Sequence, residues 1–405
     1  MHYPPEVTGN APYTGGLASG LARRGFSVRA HVTHPHYPEW KLRQGYGGWS
    51  RSEMSEGVTV VRHLHYVPRP PRGIKRLLSE LSFGLRLLFA RWRDPQVVVA
   101  VSPALFATWL VTLRVRLSLK RRPLVTWVQD LYSLGLHETG EGGRVVSAIT
   151  RWVESYALRR ADRVVVVHPR FAEYVVGELG VQRSKVVVIR NWAHLPASGV
   201  PSATTSRSHL GWPKTSALAV HLGNMGAKQG LENIVEAARL ADQVSAPILF
   251  ILVGDGSERN RLQAGAKGIS RIKFVDPLDE HDFRMALAAA DVLVVNEKPG
   301  VSSMAVPSKL TSYFDAGKPI VAATDPHGTT ADEINASGAG IVVPAGEPRV
   351  LLETALQLCV DRTRSSTYGS NGRAYREAAL GEDRAISAFE GLLNRLLATR
   401  DRSDK

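Results

Sequence analysis

Short runs of β-branched and other apolar residues, each followed by a segment long enough for a helix, recur along almost the whole chain. VRAHVT, VTVVRHL, VVVAV, LVTWV, RVVVVH and KVVVIRN form a first series, and LAVHLG, ILFILVG, IKFV, VLVVN, PIVAAT and GIVV a second. A strand that reaches the next strand through a helix pairs with it in parallel, because the crossover returns the chain to the same end of the sheet. The second series is apolar at consecutive positions, as strands covered on both faces are. The expected fold class is therefore α/β, with two doubly wound parallel-sheet domains. Between the series, residues 196–208 (PASGVPSATTSRS) show no hydrophobic period and read as a linker. This pattern makes residues 1–195 an N-terminal domain, 196–212 the linker and 213–375 a C-terminal domain. Residues 376–405 are expected to form a helix that returns to the N-terminal domain, then a polar tail.

The start of the chain departs from the alternation. Asn10 opens a helix expected to run to about Arg24, where Gly25 ends it before VRAHVT, but only HYPPEVTG stands where a feeding strand belongs. The first strand of such a domain usually lies mid-sheet, so about eight to ten residues are expected upstream of Met1.

With 405 residues, 44% of them apolar and 22% charged, the chain can bury a large core, which excludes a disordered or fibrous protein. Cys359 is the single cysteine, so no internal disulfide forms, and no signal-peptide pattern opens the chain. A cytoplasmic setting is expected. The charge is uneven: residues 1–200 hold 28 Lys and Arg against 13 Asp and Glu, whereas 201–405 hold 23 against 24. The excess is densest from Arg69 to Arg93 and from Arg114 to Arg122. Such a surface suits nucleic acid or anionic lipid, or is simply a solvated face. No helix-turn-helix, zinc-knuckle or stacking-aromatic pattern accompanies it, so no nucleic acid is expected. Leu77, Leu78, Leu81, Leu85, Leu88 and Phe89 recur at helical spacing beside arginines. They form either a membrane-surface helix or a face packed on a sheet. Val97–Leu113 is uncharged over 17 residues, but Pro103 interrupts it, and it reads as a strand followed by a helix rather than a membrane span.

In doubly wound domains ligands bind beyond the carboxyl ends of the strands. After LAVHL comes Gly223, Asn224, Met225, Gly226, Ala227, Lys228, Gln229 and Gly230, then a helix. A glycine-flanked loop at a helix start offers amide hydrogens and a partial positive charge to an anion, and Lys228 adds a full charge. The same loop would also serve as a plain strand-to-helix turn. NEKPGVSSMAVPSK, with Ser308 and Lys309 at the next helix start, and Gly254-Asp255-Gly256 are two further loops of this kind.

Together these segments resemble a family. GNMGAKQGLENIVEAA, ILVGDGSERNRLQ, AADVLVVN and PSKLTSYFDAGKPIVAA, with YPPEVTGNAPYTGGLASGLARRGFSV and LRRADRVVVVHPRF upstream, resemble the GT-B glycosyltransferases of family 4. The likeness is greatest to the branch that builds bacterial surface polysaccharides such as colanic acid and O-antigen, and it extends from Tyr3 to about residue 395. It implies two Rossmann-like domains facing across a cleft, a nucleotide-sugar donor held mostly by the C-terminal one, and transfer with retention. It makes Lys228 a ligand of the donor diphosphate, makes Gly9 and Asn10 the loop and helix start that close on it, and puts Asp130 at the edge of the sugar site. An N-cap or turn role would equally explain Asp130. The donor-binding set so implied is Gly9, Asn10, Gly223, Asn224, Met225, Gly226, Gly254, Gly256, Gly300, Val301, Ser302, Ser303, Met304, Ser308, Lys309 and Ser312, with Lys228 and Asp130 as catalytic residues. Two departures stand out. The arginine that many relatives carry after the first glycine is Asn224 here, and the usual glutamate pair falls on Met304 and Ser312.

The reaction so implied needs no enzyme nucleophile. The leaving diphosphate is stabilised while an acceptor hydroxyl attacks from the same face, and oriented donors of this kind contribute about 3 to 4 kcal/mol each. No cofactor is expected beyond the donor substrate. The acceptor is expected to be a polyprenyl-linked glycan, and the basic N-terminal domain to rest on the anionic inner face of the cytoplasmic membrane. The pairs His34/His36 and His63/His65 could suggest a metal, but alternation produces such pairs freely. The chain also lacks the Asp-x-Asp of the other large glycosyltransferase fold, so no metal is expected. No Gly-x-Gly-x-x-Gly opens a helix, which argues against a nicotinamide enzyme. A nucleotide-sugar epimerase of the same fold and a non-enzymatic basic scaffold remain as alternatives.

Overall fold

The computed structural model describes residues 1–6, 9–69, 73–139, 143–192, 201–300 and 309–403. The chain divides into two compact units, Met1–His194 with Gly381–Lys405, and Leu195–Leu380.

In the first unit the strands are β1 (Arg29–Thr33), β2 (Ser50–Ser55), β3 (Val58–His63), β4 (Val98–Ser102), β5 (Leu124–Val128), β6 (Arg163–Val166) and β7 (Val186–Val188). Its helices begin with α1 (Ala11–Arg23), α2 (Ile74–Phe89), α3 (Leu105–Leu117), α4 (Tyr132–Thr139), α5 (Gly143–Arg160) and α6 (Pro169–Gly177). The strands form two sheets, ordered β1-β3-β2 and β4-β5-β6-β7. Every pairing is parallel except β2 with β3, which runs antiparallel from Ser50 opposite His63 to Ser55 opposite Val58. β2 was not legible as a strand: SRSEMS is an edge with both faces wet, so nothing imposes an apolar alternation. Helix α1 covers both sheets. Its Tyr13, Leu17 and Leu21 pack with Val125 and Trp127, and its Ala18 packs with Val32, Val58 and Val60. Among the described residues β1 pairs with β3 alone and β4 with β5 alone, and the Met1 carbonyl accepts the Thr33 N–H at 3.3 Å.

The leucine stripe of α2 does not pack on a sheet. The helix lies on α3 through Phe83, Gly84 and Leu87, while Leu78, Leu85 and Phe89 are exposed. Gly84 sets this choice of face. A Cβ there would stand 2.6 Å from Leu110 Cδ1 and 3.0 Å from Ala107 Cα, so only glycine lets the two helices approach this closely.

The second unit carries β8 (Ala217–Leu222), β9 (Ile248–Val253), β10 (Ile272–Val275), β11 (Val292–Asn296), β12 (Ile320–Thr324) and β13 (Gly340–Pro344). They form one fully parallel sheet, ordered β10-β9-β8-β11-β12-β13. Its helices are α7 (Ala203–His209), α8 (Glu232–Gln243), α9 (Arg259–Gly265), α10 (Glu280–Ala289), α11 (Lys309–Ala316), α12 (Thr329–Ser337), α13 (Pro348–Val360) and α14 (Arg362–Ala379). One face of the sheet packs on α8 and α13 through Phe250, Leu252 and Val294, and the other packs on α10, α11 and α12 through Val220, Ile251 and Leu293. Part of the segment read as a linker is thus helical: α7 is anchored by buried Arg207, which pairs with Asp291 at 2.6 Å. The last helix, α15 (Glu382–Ser403), belongs to the first unit, where Phe389 packs on Trp127 and Arg24 pairs with Asp383 and Glu390. Among the described residues no helix is long and apolar enough to cross a membrane.

Candidate functional site

The loops that leave β8, β9 and β11 meet at the carboxyl end of the second unit's sheet, and glycines fix how closely. A Cβ on Gly254 would lie 2.0 Å from the Gly223 carbonyl oxygen, and one on Gly256 would lie 2.5 Å from the Met225 backbone. The Met225 N–H donates to the Asp255 carbonyl at 2.8 Å, and the Glu258 N–H to that of Met225 at 3.0 Å. On the other side Gly230, with φ +53°, would set a Cβ 2.8 Å from Lys298 Cα. There the Lys298 N–H donates to the Lys228 carbonyl at 2.8 Å. Asn296, at the end of β11, donates from its side-chain amide to the carbonyls of Gln229 and Gly230 and accepts from the Asn233 amide at 2.8 Å. The loop from Gly223 to Gly230 is therefore clamped on both flanks.

The amides of Gly223, Met225, Gly226 and Gln229 are already spent: Gly223 donates to the Val253 carbonyl at 2.9 Å, Met225 to that of Asp255, Gly226 to Gln229 Oε1 at 3.1 Å and Gln229 to the Gly226 carbonyl at 3.1 Å. The charge available to an anion then falls chiefly on lysines. Lys228 is exposed, and its ammonium has no carboxylate partner among the described residues. Lys309, the first residue of α11, is a different kind of cation. Its Nζ donates to His221 Nε2 at 3.2 Å and lies 3.6 Å from where a Gly223 Cβ would stand. Burial pushes its pKa down to about 8, against the pull of Glu297. His221 Nδ1 donates to the Val294 carbonyl at 3.1 Å, which leaves Nε2 as the acceptor facing Lys309. Burial, and then the Lys309 charge, hold His221 well below the ordinary histidine range. Glu297 is fixed in turn by the hydroxyls of Thr324 and Thr330. α11 is tied to the same place by Tyr313, whose hydroxyl accepts the Leu222 N–H at 2.8 Å.

Of the residues implicated by sequence, Gly223, Asn224, Met225, Gly226, Lys228, Gly254, Gly256 and Lys309 come together here. Ser312 is buried on α11, and Gly300 follows β11 with φ +83°. Val301, Ser302, Ser303, Met304 and Ser308 lie outside the described residues. His221, Asn233 and Asn296 were missed, although a histidine inside the apolar run LAVHL and an asparagine ending VLVVN were the available signals.

In the first unit Gly9 has φ +63° and Asn10 stands at the N-cap position of α1, without a side-chain capping bond. Asn10 lines a cavity with His2, Thr14, Arg76, Glu80 and Tyr132, while half-buried Asp130 is not among its lining residues. Here the Tyr132 hydroxyl donates to Glu80 at 2.7 Å and accepts from Arg76 at 3.0 Å. Burial raises the Glu80 carboxyl above its usual range. Nothing in the sequence marked this group. His2, Glu6 and His36 also gather closely enough for their ligand atoms to share an ion. Glu6 Oε1, however, already accepts the N–H groups of His36 and Tyr37, at 2.8 and 2.9 Å, so the carboxylate acts as a bracket for that loop.

A two-unit architecture of parallel sheets, with clamped glycine loops at the strand ends, is that of the GT-B glycosyltransferases. Sucrose-phosphate synthase from Thermosynechococcus elongatus superposes with a TM-score of 0.75 at 18% identity, covering 97% of this chain and 94% of that one. Anabaena HepE in complex with UDP-glucose gives a TM-score of 0.62 at 17% identity, over 80% and 84%. Residues 8–192 match the model of a glycosyl transferase 4-like domain, and residues 216–361 that of glycosyl transferases group 1. The putative colanic acid biosynthesis glycosyl transferase WcaI of Escherichia coli K12 is 33% identical over 334 residues, 78% of this chain and 80% of that protein. The chain belongs to the GT-B glycosyltransferases of family 4.

Proposed function

We propose that the chain transfers a hexose, with retention, from a nucleotide-diphosphate sugar to a polyprenyl-linked glycan during synthesis of a cell-surface polysaccharide. The observation that carries this reading is the pair of unlike lysines on the clamped loops. Lys228 stands in solvent, ready to meet a diphosphate, and Lys309 lies half-buried under Gly223, where it needs an anion to complete its surroundings. Such cations stabilise the charge that grows on the leaving diphosphate, and the acceptor hydroxyl passes its proton to a leaving-group oxygen, so no protein nucleophile takes part. Asp130 would orient the sugar or the acceptor. The likeness to WcaI, a putative colanic acid biosynthesis glycosyl transferase, and to HepE, whose structure is a complex with UDP-glucose, supports a polysaccharide product and a nucleotide-sugar donor. We propose further that the transfer takes neither metal nor cofactor and occurs at the cytoplasmic face of the membrane.

The test is a panel of nucleotide-sugars scored by thermal stabilisation, followed by transfer to a polyprenyl-diphosphate glycan with the product's anomeric configuration read by NMR. A matching donor at about a hundredfold over its Kd should stabilise the protein by about 2.7 kcal/mol. Donor turnover to a new sugar without acceptor would favour an epimerase, and no stabilisation by any nucleotide-sugar would refute the proposal.

A further inference from the structure

The outer surface of the first unit carries a face that its own core does not explain. Helices α2, α3 and α5 lie side by side, with α3 in the middle. They run in the same direction, since Arg114 of α3 donates to the Leu87 carbonyl of α2, and Arg116 to the Arg160 carbonyl of α5 at 2.8 Å. α3 is apolar around its whole circumference up to Leu113, a pattern expected of an enclosed helix, yet Phe106, Trp109 and Leu113 are only half-buried. On one flank α2 exposes Ile74 (71%), Leu78, Leu85 and Phe89 (81%), and on the other α5 exposes Val145, Ile149 (52%) and Trp152 (56%). Trp152 of α5 reaches Trp109 of α3, their ring centroids 6.5 Å apart. So wide an exposed apolar surface is unusual for a protein that has only water to face.

At the carboxyl ends of α2 and α3 this face meets a basic cleft lined by Arg91, Arg93, Arg114, Lys120 and Arg122. Asp94 pairs with Lys120 and Arg122, and Arg114 stacks on Trp92 at 3.9 Å, which leaves a surplus of positive charge at the rim. Apolar side chains beside clustered arginines complement one kind of occupant, a bilayer with anionic head groups.

We infer that the α2-α3-α5 face inserts into the head-group and acyl boundary of an anionic membrane, with lipid phosphates seated in the cleft that ends at Arg91 and Arg93. This deepens the reading of the protein as a membrane-associated transferase and rests on it. It differs from a purely electrostatic attachment, because part of the binding must survive salt that screens charges.

The experiment is co-flotation of the full chain with phosphatidylcholine vesicles, with and without phosphatidylglycerol. The wild-type protein should bind the anionic vesicles and keep a bound fraction at about 0.5 M salt, where the screening length is only a few ångströms. Phe89→Asp and Ile149→Asp, on separate helices and both at exposed sites, should each lower partitioning at least tenfold and abolish the salt-resistant fraction. Arg91→Ala and Arg93→Ala should each cost about fivefold at low salt. The inference is overturned if both aspartate variants float like the wild type, or if the wild type does not float. It is likewise overturned if the variants only dissolve a concentration-dependent dimer seen by light scattering. Stabilisation by nucleotide-sugars, measured on the same samples, separates the two ideas. If it persists while flotation fails, only the membrane face is wrong; if it is missing, the transferase reading itself falls.

Discussion

Lys309 offers a test in which pH is the perturbation. Its ammonium is held at a pKa of about 8 by burial, with Glu297 opposing and neutral His221 as a hydrogen-bond partner. The charged fraction in the free enzyme therefore falls from about 0.9 at pH 7 to about 0.1 at pH 9. If this charge receives the donor diphosphate, kcat/KM should fall about tenfold across that interval, because kcat/KM reports ionisations of the free enzyme. With the donor bound, a diphosphate beside the ammonium favours its charged form, so the limb in kcat should lie at higher pH than the limb in kcat/KM. Lys309→Arg, charged throughout, should lose the limb in kcat/KM. Lys309→Met should show a low, flat profile, down about a hundredfold, the usual cost of one oriented donor at a developing anion. The assay is initial-rate transfer over pH 6.5 to 10 with the chain's best donor. A limb that persists unchanged in Lys309→Arg would refute the assignment, as would a wild-type profile flat to pH 10.

Lys228→Ala should lower turnover about a hundredfold and weaken UDP binding, measured by initial rates and calorimetry; unchanged activity would remove Lys228 from the mechanism. Gly254→Ala forces a Cβ to within 2.0 Å of the Gly223 oxygen at φ +136°, so the two loops must part by more than an ångström. Backbone strain of about 1 to 3 kcal/mol should accompany a tenfold or greater loss of nucleotide affinity, and wild-type affinity would contradict the clamp. The first unit should be acid-labile. Burial holds His36 and His63 down to about 4, so between pH 6.5 and 4 the unfolded chain binds more protons than the folded one, and stability falls as pH falls. Each fully buried ring should cost about 2 kcal/mol at pH 5, read as a lower urea midpoint than at pH 7; equal midpoints would show that neither ring stays neutral.

Which parts of this were legible beforehand follows from how local each constraint is. Buried parallel strands announce themselves because both faces must be apolar, and every one of the runs singled out became a strand. β2 stayed hidden because an edge strand in water needs no such pattern. The glycine loops were legible for the same local reason. Gly254, Gly256 and Gly230 stand where backbones cross within van der Waals contact, and no other residue fits. The contact between Lys309 and His221 was not, since it joins residues 88 apart and exists only because β8 and β11 are neighbours in the sheet. Glu80 with Tyr132 is likewise a product of packing between α2 and the start of α4.

Helix α2 shows how a periodic pattern can be read correctly and still leave its meaning open. The leucine spacing identified an apolar face, but a stripe alone does not say what it touches. The deciding residues are on the opposite side, where Phe83 and Leu87 supply the buried apolar contacts and Ser79 and Gly84 are small enough to let α3 come close. The helix thus carries apolar residues on both sides, and its packing on α3 is complete without Leu78, Leu85 and Phe89, which stay exposed. The middle helix, α3, confirms this logic independently, for it is apolar on the side facing α2, on the side facing the sheet and on its outer side alike. If the inferred membrane face is right, exchange of water on this outer surface for lipid is what drives insertion. The arginines then set which membrane, since their attraction to phosphate acts before contact and the apolar side chains act after it. The order of those two steps is why salt should slow arrival at the bilayer without releasing protein already inserted.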